Sequence, residues 1–256
     1  CCTGSLLVLN GLEDAPTMPR IDVTAPPFFD TPTATPAPAL NRSPVGDLGI
    51  ETERLLADTV VPERDLHELA IRLRGLPPDT PRVNNKGASL DYEVGARRLF
   101  HASNVDTEER FDLYATLEYK TEHVYMWVEE GEYVDPDDLG AAAELFEERT
   151  YVTNRAFFGS EWNPGVDNDP HLSILHATNL GNSVAGYYSS ADEFVREVRE
   201  DSNEMEMFYI NIDNVIPNSP FYNGVLAHEF QHMIHWYNDR NEETWLNEGF
   251  SELATY

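Results

Sequence analysis

His228-Glu229-Phe230-Gln231-His232 is the stretch whose reading decides the fold. It lies inside a segment that reads as a helix without help from the motif. Ser219 followed by Pro220 supplies an N-cap and a proline at the first helical position. The apolar residues Val225, Leu226, Ala227, Phe230, Met233, Ile234 and Trp236 then run without a breaker to Asn238-Asp239. On a helix, residues four apart share a face, so His228 and His232 can present two imidazole nitrogens to one metal ion. Glu229 lies about 100° round from His228 and is therefore placed beside the ion rather than on it. Accident would give an H-E-x-x-H in roughly 1 in 40 chains of this His and Glu content, so the surrounding sequence has to carry weight as well. His235 extends the stripe, but it lies about 4.5 Å further along the axis than His232. It is expected to be a partly buried polar neighbour of the site and not a ligand.

A second acidic element follows. Residues 242–256 read as a helix with Asn241 as N-cap, Glu242 and Glu243 at the positive end of its dipole, and Trp245, Leu246, Phe250 and Leu253 as its apolar face. Glu248 and Glu252 are four apart on it. Two like charges at that spacing disfavour an isolated helix, and a nearby cation would explain them; a solvated acidic face is the plainer alternative. A third protein ligand beside two histidines leaves one tetrahedral position open, the arrangement of catalytic zinc.

These residues resemble the gluzincin zinc metallopeptidases, in which H-E-x-x-H is followed by an N-E-x-x-S-D element. Trp245-Leu246-Asn247-Glu248-Gly249-Phe250 is similar to the W-L-N-E-G-F run of aminopeptidase N relatives. The stretch 226–254 is most similar to secreted bacterial neutral metallopeptidases of the hyicolysin type. The resemblance implies that His228, His232 and Glu248 hold Zn²⁺, that Glu229 is the general base, and that Glu252 supports a zinc histidine from behind. Asn247, Ser251 and Trp245 are implied supporting residues. The 15 residues between His232 and Glu248 are fewer than in thermolysin or aminopeptidase N, so Glu248 is the expected ligand with Glu252 as the alternative one turn on.

The chain has 256 residues and a formal net charge of −29. Such a balance argues against nucleic-acid binding, which relies on Lys and Arg to neutralise phosphates. Its two cysteines are Cys1 and Cys2, so no disulfide framework and no thiolate chemistry is proposed. Residues 1–14 read as a remnant of a secretion signal or lipid-modified terminus, or as an arbitrary start. Residues 15–46 are a Pro/Thr-rich linker suited to a membrane or wall tether. Residues 47–100 read as a helical or irregular segment, with helical periodicity over 51–75 interrupted at Val61-Pro62. Residues 101–256 read as the catalytic domain.

Within that domain, 110–131 alternate as a hairpin with a turn near Glu122, Asp135-Pro136 opens a helix with Leu139, Ala142, Ala143 and Phe146 on one face, and 171–179 and 206–213 read as strands. The strand at Met207–Asn211 is the candidate edge for docking an extended peptide, with an ordinary core strand as the alternative. Asp167 and Asp169 stand two apart in a polar turn that suits either Ca²⁺ or a plain Asx turn.

The expected fold is α+β: a zincin-like lobe of mixed sheet plus active-site helix, with the C-terminal lobe lying beyond Tyr256. On that reading the chain as given binds zinc weakly and cleaves little. The expected function is a secreted or cell-surface zinc endopeptidase acting on protein or peptide substrates. The alternatives are an aminopeptidase of the same clan, for which Asn203-Glu204-Met205-Glu206-Met207 only approaches the amine-gripping element, and a non-catalytic surface module that keeps the fold.

Overall fold

The computed structural model describes residues 65–87 and 90–256, together with helical positions Thr52, Arg54, Leu55 and Asp58. Residues 1–14 and 15–46, read above as a terminal remnant and a linker, lie outside the described residues. The chain divides into one unit that includes residues 64–256 and another of residues 11–63; the first carries the elements that follow.

Helix α1 (Leu66–Arg74) begins where Asp65 accepts hydrogen bonds from the His67 and Glu68 N–H groups and ends at Gly75, whose φ of 71° only glycine adopts freely. The next elements are strands β1 (Arg97–Ser103), β2 (Arg110–Lys120) and β3 (Val124–Glu129), followed by helix α2 (Pro136–Leu145). A π-helical turn (Phe146–Tyr151) leads into α3 (Val152–Phe158). Strands β4 (Leu172–Ala177), β5 (Gly186–Tyr188) and β6 (Met207–Asn211) precede the long α4 (Pro220–Asn238) and the final α5 (Thr244–Ala254).

The six strands form one mixed sheet in the order β1-β2-β3-β4-β6-β5. The β1–β2, β2–β3 and β5–β6 pairs are antiparallel, and β3–β4 and β4–β6 are parallel. Alternation along β3 sends its side chains to two cores. Val124, Met126 and Val128 join Ile174, Phe208 and Ile210 against α2 and α4. Tyr125 and Trp127 join Phe100, Leu117, Leu175 and Tyr209 on the opposite face. There the sheet curls upon itself. The outer edge of β1 is met by side chains from the far end of the sheet: the His101 N–H donates to Asn203 Oδ1 at 2.8 Å and the Ser103 N–H to the Tyr187 hydroxyl at 3.1 Å. Backbone donors that would otherwise template another strand are thereby used internally.

Helix α4 starts as expected, with the Ser219 hydroxyl accepting the Tyr222 N–H and Pro220 in the first turn. Its Leu226, Phe230, Met233 and Ile234 are all at most 1% exposed. Burial of four such side chains is worth of order 10 kcal/mol. That offsets the burial of the polar stripe His228, Glu229 and His232 on the same helix.

Three expectations change. β6 is internal, flanked by β4 and β5; the sheet edge on this side is β5, whose three residues are too few to show a period. Helix α5 begins at Thr244 with Glu243 at the cap and no side-chain capping bond, whereas the Asn241 backbone N–H is held by Asp239 in the preceding turn. Strand β1 crosses the position 100/101 where the sequence reading divides an irregular segment from the catalytic domain.

Candidate metal centre

Helices α4 and α5 bring three side chains together. His228 Nε2 and His232 Nε2 are 3.1 Å apart, and Glu248 Oε2 lies 3.7 Å from each. Tetrahedral ligands at about 2.0–2.1 Å from a metal are roughly 3.3–3.4 Å from one another, so the triangle is close to the size such an ion requires. Both imidazoles are 2% exposed, while the Glu248 side chain is 35% exposed. The site thus has a dry floor and an open rim. The closeness of the two rings and their burial hold the His232 pKa down to about 4, burial being the larger cause and His228 the next. Neutral imidazole is the form that ligates a metal.

The ring of His232 is oriented from behind. Its Nδ1 lies 2.9 Å from Asn247 Oδ1 and 2.9 Å from Ser251 Oγ. Ser251 Oγ in turn donates to Gln231 Oε1. With the serine proton committed to Gln231, the Nδ1–H of His232 donates to the two oxygens. Its Nε2 lone pair is left facing His228 and Glu248, the tautomer that outer partners of a ligating histidine normally fix. Asn247 and Ser251 are thus the side chains that hold the His232 ring from behind.

Glu252 does not take that role. It is exposed, and the reason is angular. Asn247, Glu248 and Ser251 define the face of α5 that meets α4, and at about 100° per residue Glu252 falls roughly 90° off the centre of that face. Of the two glutamates, Glu248 is the one whose carboxylate the fold brings to the histidine pair. His235 is 9% exposed and packs its ring against Phe250 at 5.9 Å, a neighbour of the cluster and not a member. Trp245 is 74% exposed.

Glu229 is fully buried, and neither carboxylate oxygen has a hydrogen-bond partner of normal geometry. Burial pushes its pKa well above the ordinary 4.5 and the charge of Glu248 adds to this; the backbone of Tyr188, on edge strand β5, opposes it weakly. His228 Nδ1 is also buried without a partner. The three converging atoms, two imidazole Nε2 and one carboxylate oxygen, form a donor set that could hold a metal ion.

A second grouping, Glu122, His123 and Glu147, also has the spacing for a metal ion. Its Glu147 carboxylate, however, already accepts from the Thr121 hydroxyl at 2.6 Å, the His123 N–H at 3.0 Å and His123 Nδ1 at 2.5 Å.

The proposed Asp167–Asp169 pair resolves into a local turn. The Asp169 N–H donates to Asp167 Oδ1 at 3.1 Å, and Asp169 is further held by His171 and the Tyr125 hydroxyl. Gln231 and Tyr188 were not foreseen. Gln231 was visible only as one of the variable positions inside the motif, and Tyr188 belongs to a strand with no pattern. No family model matches the chain, and no curated protein matches it.

Proposed function

We propose that this chain is a zinc metallopeptidase of gluzincin type, with His228, His232 and Glu248 as the metal ligands. The observation that carries the reading is the convergence of the three ligand atoms within 3.7 Å beside a buried, unpartnered Glu229. The donor set, two imidazoles and one carboxylate, suits Zn²⁺. When bound there, the ion would supply Lewis-acid polarisation of a water and of the scissile carbonyl.

The chain's own residues supply the rest. Glu229 accepts a proton on its carboxylate and returns it to the leaving amine, and burial, by raising its pKa, makes it a stronger proton acceptor than an ordinary carboxylate. Asn247 and Ser251 keep His232 in one tautomer. Edge strand β5, whose Tyr188 backbone borders Glu229, is where an extended peptide would add and run past the base.

Endopeptidase is preferred to aminopeptidase because the residues nearest to an amine-gripping element are otherwise engaged. Asn203 bonds Asp192 and the His101 carbonyl, and Glu206 accepts the Val166 N–H. A secreted or cell-surface setting is part of the same proposal; no helix among the described residues is long and apolar enough to cross a membrane.

The test is zinc-dependent hydrolysis of casein by the purified chain, compared with Glu229→Gln. Cleavage that requires zinc and falls by about 10²–10⁴ in the variant supports the assignment. Equal cleavage by the two proteins overturns it.

A further inference from the structure

A cavity of about 370 Å³ opens on the face of the sheet away from α4, where the curled sheet meets itself. Small-molecule sites usually measure about 300–1,000 Å³. One side is built by β1 and the start of β2, the other by β5, β6 and the loop that joins them. Tyr187 and Tyr209 line it as a stacked pair, with ring centroids 4.2 Å apart, and Phe111 adds a third ring. The space exists because two small side chains, Ala102 and Ala191, stand at the seam. No lining residue belongs to the metal centre.

The floor carries a carboxylate. Asp192 is 2% exposed and lines the cavity beside the two tyrosines. Its Oδ1 accepts the Asn203 N–H at 2.7 Å and Asn203 Nδ2 at 3.0 Å, and its Oδ2 accepts the Tyr209 hydroxyl at 2.8 Å. These donors are all neutral. Asn203 is in turn pinned to β1, donating to the His101 carbonyl at 2.9 Å and accepting the His101 N–H at 2.8 Å. The carboxylate is therefore held in one orientation. Two further carboxylates line the cavity, and each of them already meets a basic side chain. Asp112 lies 2.6 Å from His101 Nδ1, and Asp201 lies 3.0 Å from Arg110 and 3.1 Å from Arg199.

A buried carboxylate is neutralised by a proton or paired with a cation. Aromatic faces also attract cations, most strongly where water is excluded. We infer that this cavity binds a small organic cation, a primary ammonium or guanidinium at the end of a short alkyl chain. Asp192 supplies the counter-charge, and the three rings and two alanines supply the apolar surface for the chain. An anionic ligand is disfavoured, because three carboxylates line the cavity. A bare metal ion is served less well, since hard cations take six or more oxygen ligands and much of this wall is aromatic. Burial pushes the Asp192 carboxyl up to about 7, and a bound cation favours its ionised form.

The same head group is carried by a free alkylamine and by a lysine or arginine side chain. A free amine would lie wholly within the cavity. A basic side chain would enter it head first, with its backbone left at the mouth. The site does not depend on the zinc reading, since the two share no residue and lie on opposite faces of the sheet.

The experiment titrates the full chain in EDTA by isothermal calorimetry. It is run at about pH 8.5, where Asp192 is ionised and alkylamines are still protonated, and at about 0.15 M salt, which screens loose binding to the acidic surface. The probes are n-butylammonium, n-propylguanidinium and N-acetyl-lysine methylamide, with n-butanol and butyrate as neutral and anionic counterparts. We expect one saturable site per chain with a Kd below about 1 mM for the preferred cation, and binding at least roughly tenfold weaker for both counterparts. Tighter binding of the free alkyl cations assigns the site to small amines, and tighter binding of the lysine derivative assigns it to a basic side chain of a peptide. Ala191→Leu fills the cavity without removing a charge, and Asp192→Asn removes the counter-charge. Each should weaken binding by at least about tenfold. Three results would overturn the proposal: no saturable site for any of the three cations up to about 10 mM, a counterpart that binds as tightly as the cations, or unchanged affinity in Ala191→Leu. Should either variant fail to fold, the comparison of cations with counterparts on the wild-type chain decides.

Discussion

Glu229→Gln should stabilise the metal-free protein while abolishing its chemistry, and the stabilisation should depend on pH. Glu229 is fully buried with both oxygens unpartnered, and its pKa is raised well above 4.5 by burial and by Glu248. An acid whose pKa is higher in the fold than in the unfolded chain contributes its stability below the unfolded value and loses it as pH rises. The wild-type chain therefore loses stability above pH 4.5 in a way that glutamine does not. The amide is as poorly partnered as the carboxyl group it replaces, so that cost cancels to first order. At pH 7 the ceiling on the gain is set by the interval from 4.5 to 7 at about 1.36 kcal/mol per pH unit, or about 3 kcal/mol. For a chain of this size that is at most roughly 10 °C in melting temperature. The assay is urea unfolding of both proteins in EDTA at pH 4.5 and pH 7. We expect near-equal stability at the lower pH and a clear advantage for the variant at the higher. Equal stability at both would mean that Glu229 is solvated, and the argument for a tuned general base would fail.

Other consequences follow from the same geometry. Glu248→Ala should abolish tight zinc binding, whereas Glu252→Ala, an exposed position, should change zinc affinity less than twofold; a chelator-competition titration showing the reverse order would move the ligand by one turn. Ser251→Ala removes both the bond to His232 Nδ1 and the one to Gln231, and should weaken zinc binding by about 10–100-fold; unchanged affinity would show that Asn247 alone orients the ring. His176 donates from Nδ1 to the Trp127 carbonyl at 2.9 Å and accepts from the Tyr222 hydroxyl at 2.7 Å, and burial holds its pKa down to about 4. It should stay neutral in ¹⁵N NMR spectra down to pH 5, and the fold should lose its contribution as pH falls from 6.5 toward 4; a ring already protonated at pH 6 would contradict this.

Helix α4 and its paired histidines were legible because three local signals agree: a Ser-Pro start, an uninterrupted apolar run and the i, i+4 spacing. The β2–β3 hairpin and α2 were legible for the same reason, since alternation and an Asp-Pro cap are local. Edge strand β5 was not, because Gly186-Tyr187-Tyr188 is three residues with no period and its existence depends on pairing with β6. Ser251 and Asn247 were among the expected supporting residues, but that Glu252 would turn outward was hidden. Spacing places Glu248 and Glu252 one turn apart, but which neighbour faces α4 is set by the rotation of α5 about its axis. The cavity on the far face was the hardest to see. Asp192 is an ordinary member of an acidic chain in sequence, and only the fold withdraws it from water and sets it beside Tyr187 and Tyr209.

The most direct test of the account is the zinc coordination of the purified chain, measured by metal analysis together with zinc K-edge X-ray absorption. The account predicts one Zn²⁺ per chain with two imidazole nitrogens and oxygen ligands at about 2.0–2.1 Å, and loss of the ion in His228→Ala. A chain that takes up no zinc, or a zinc environment unchanged in His228→Ala, would contradict it.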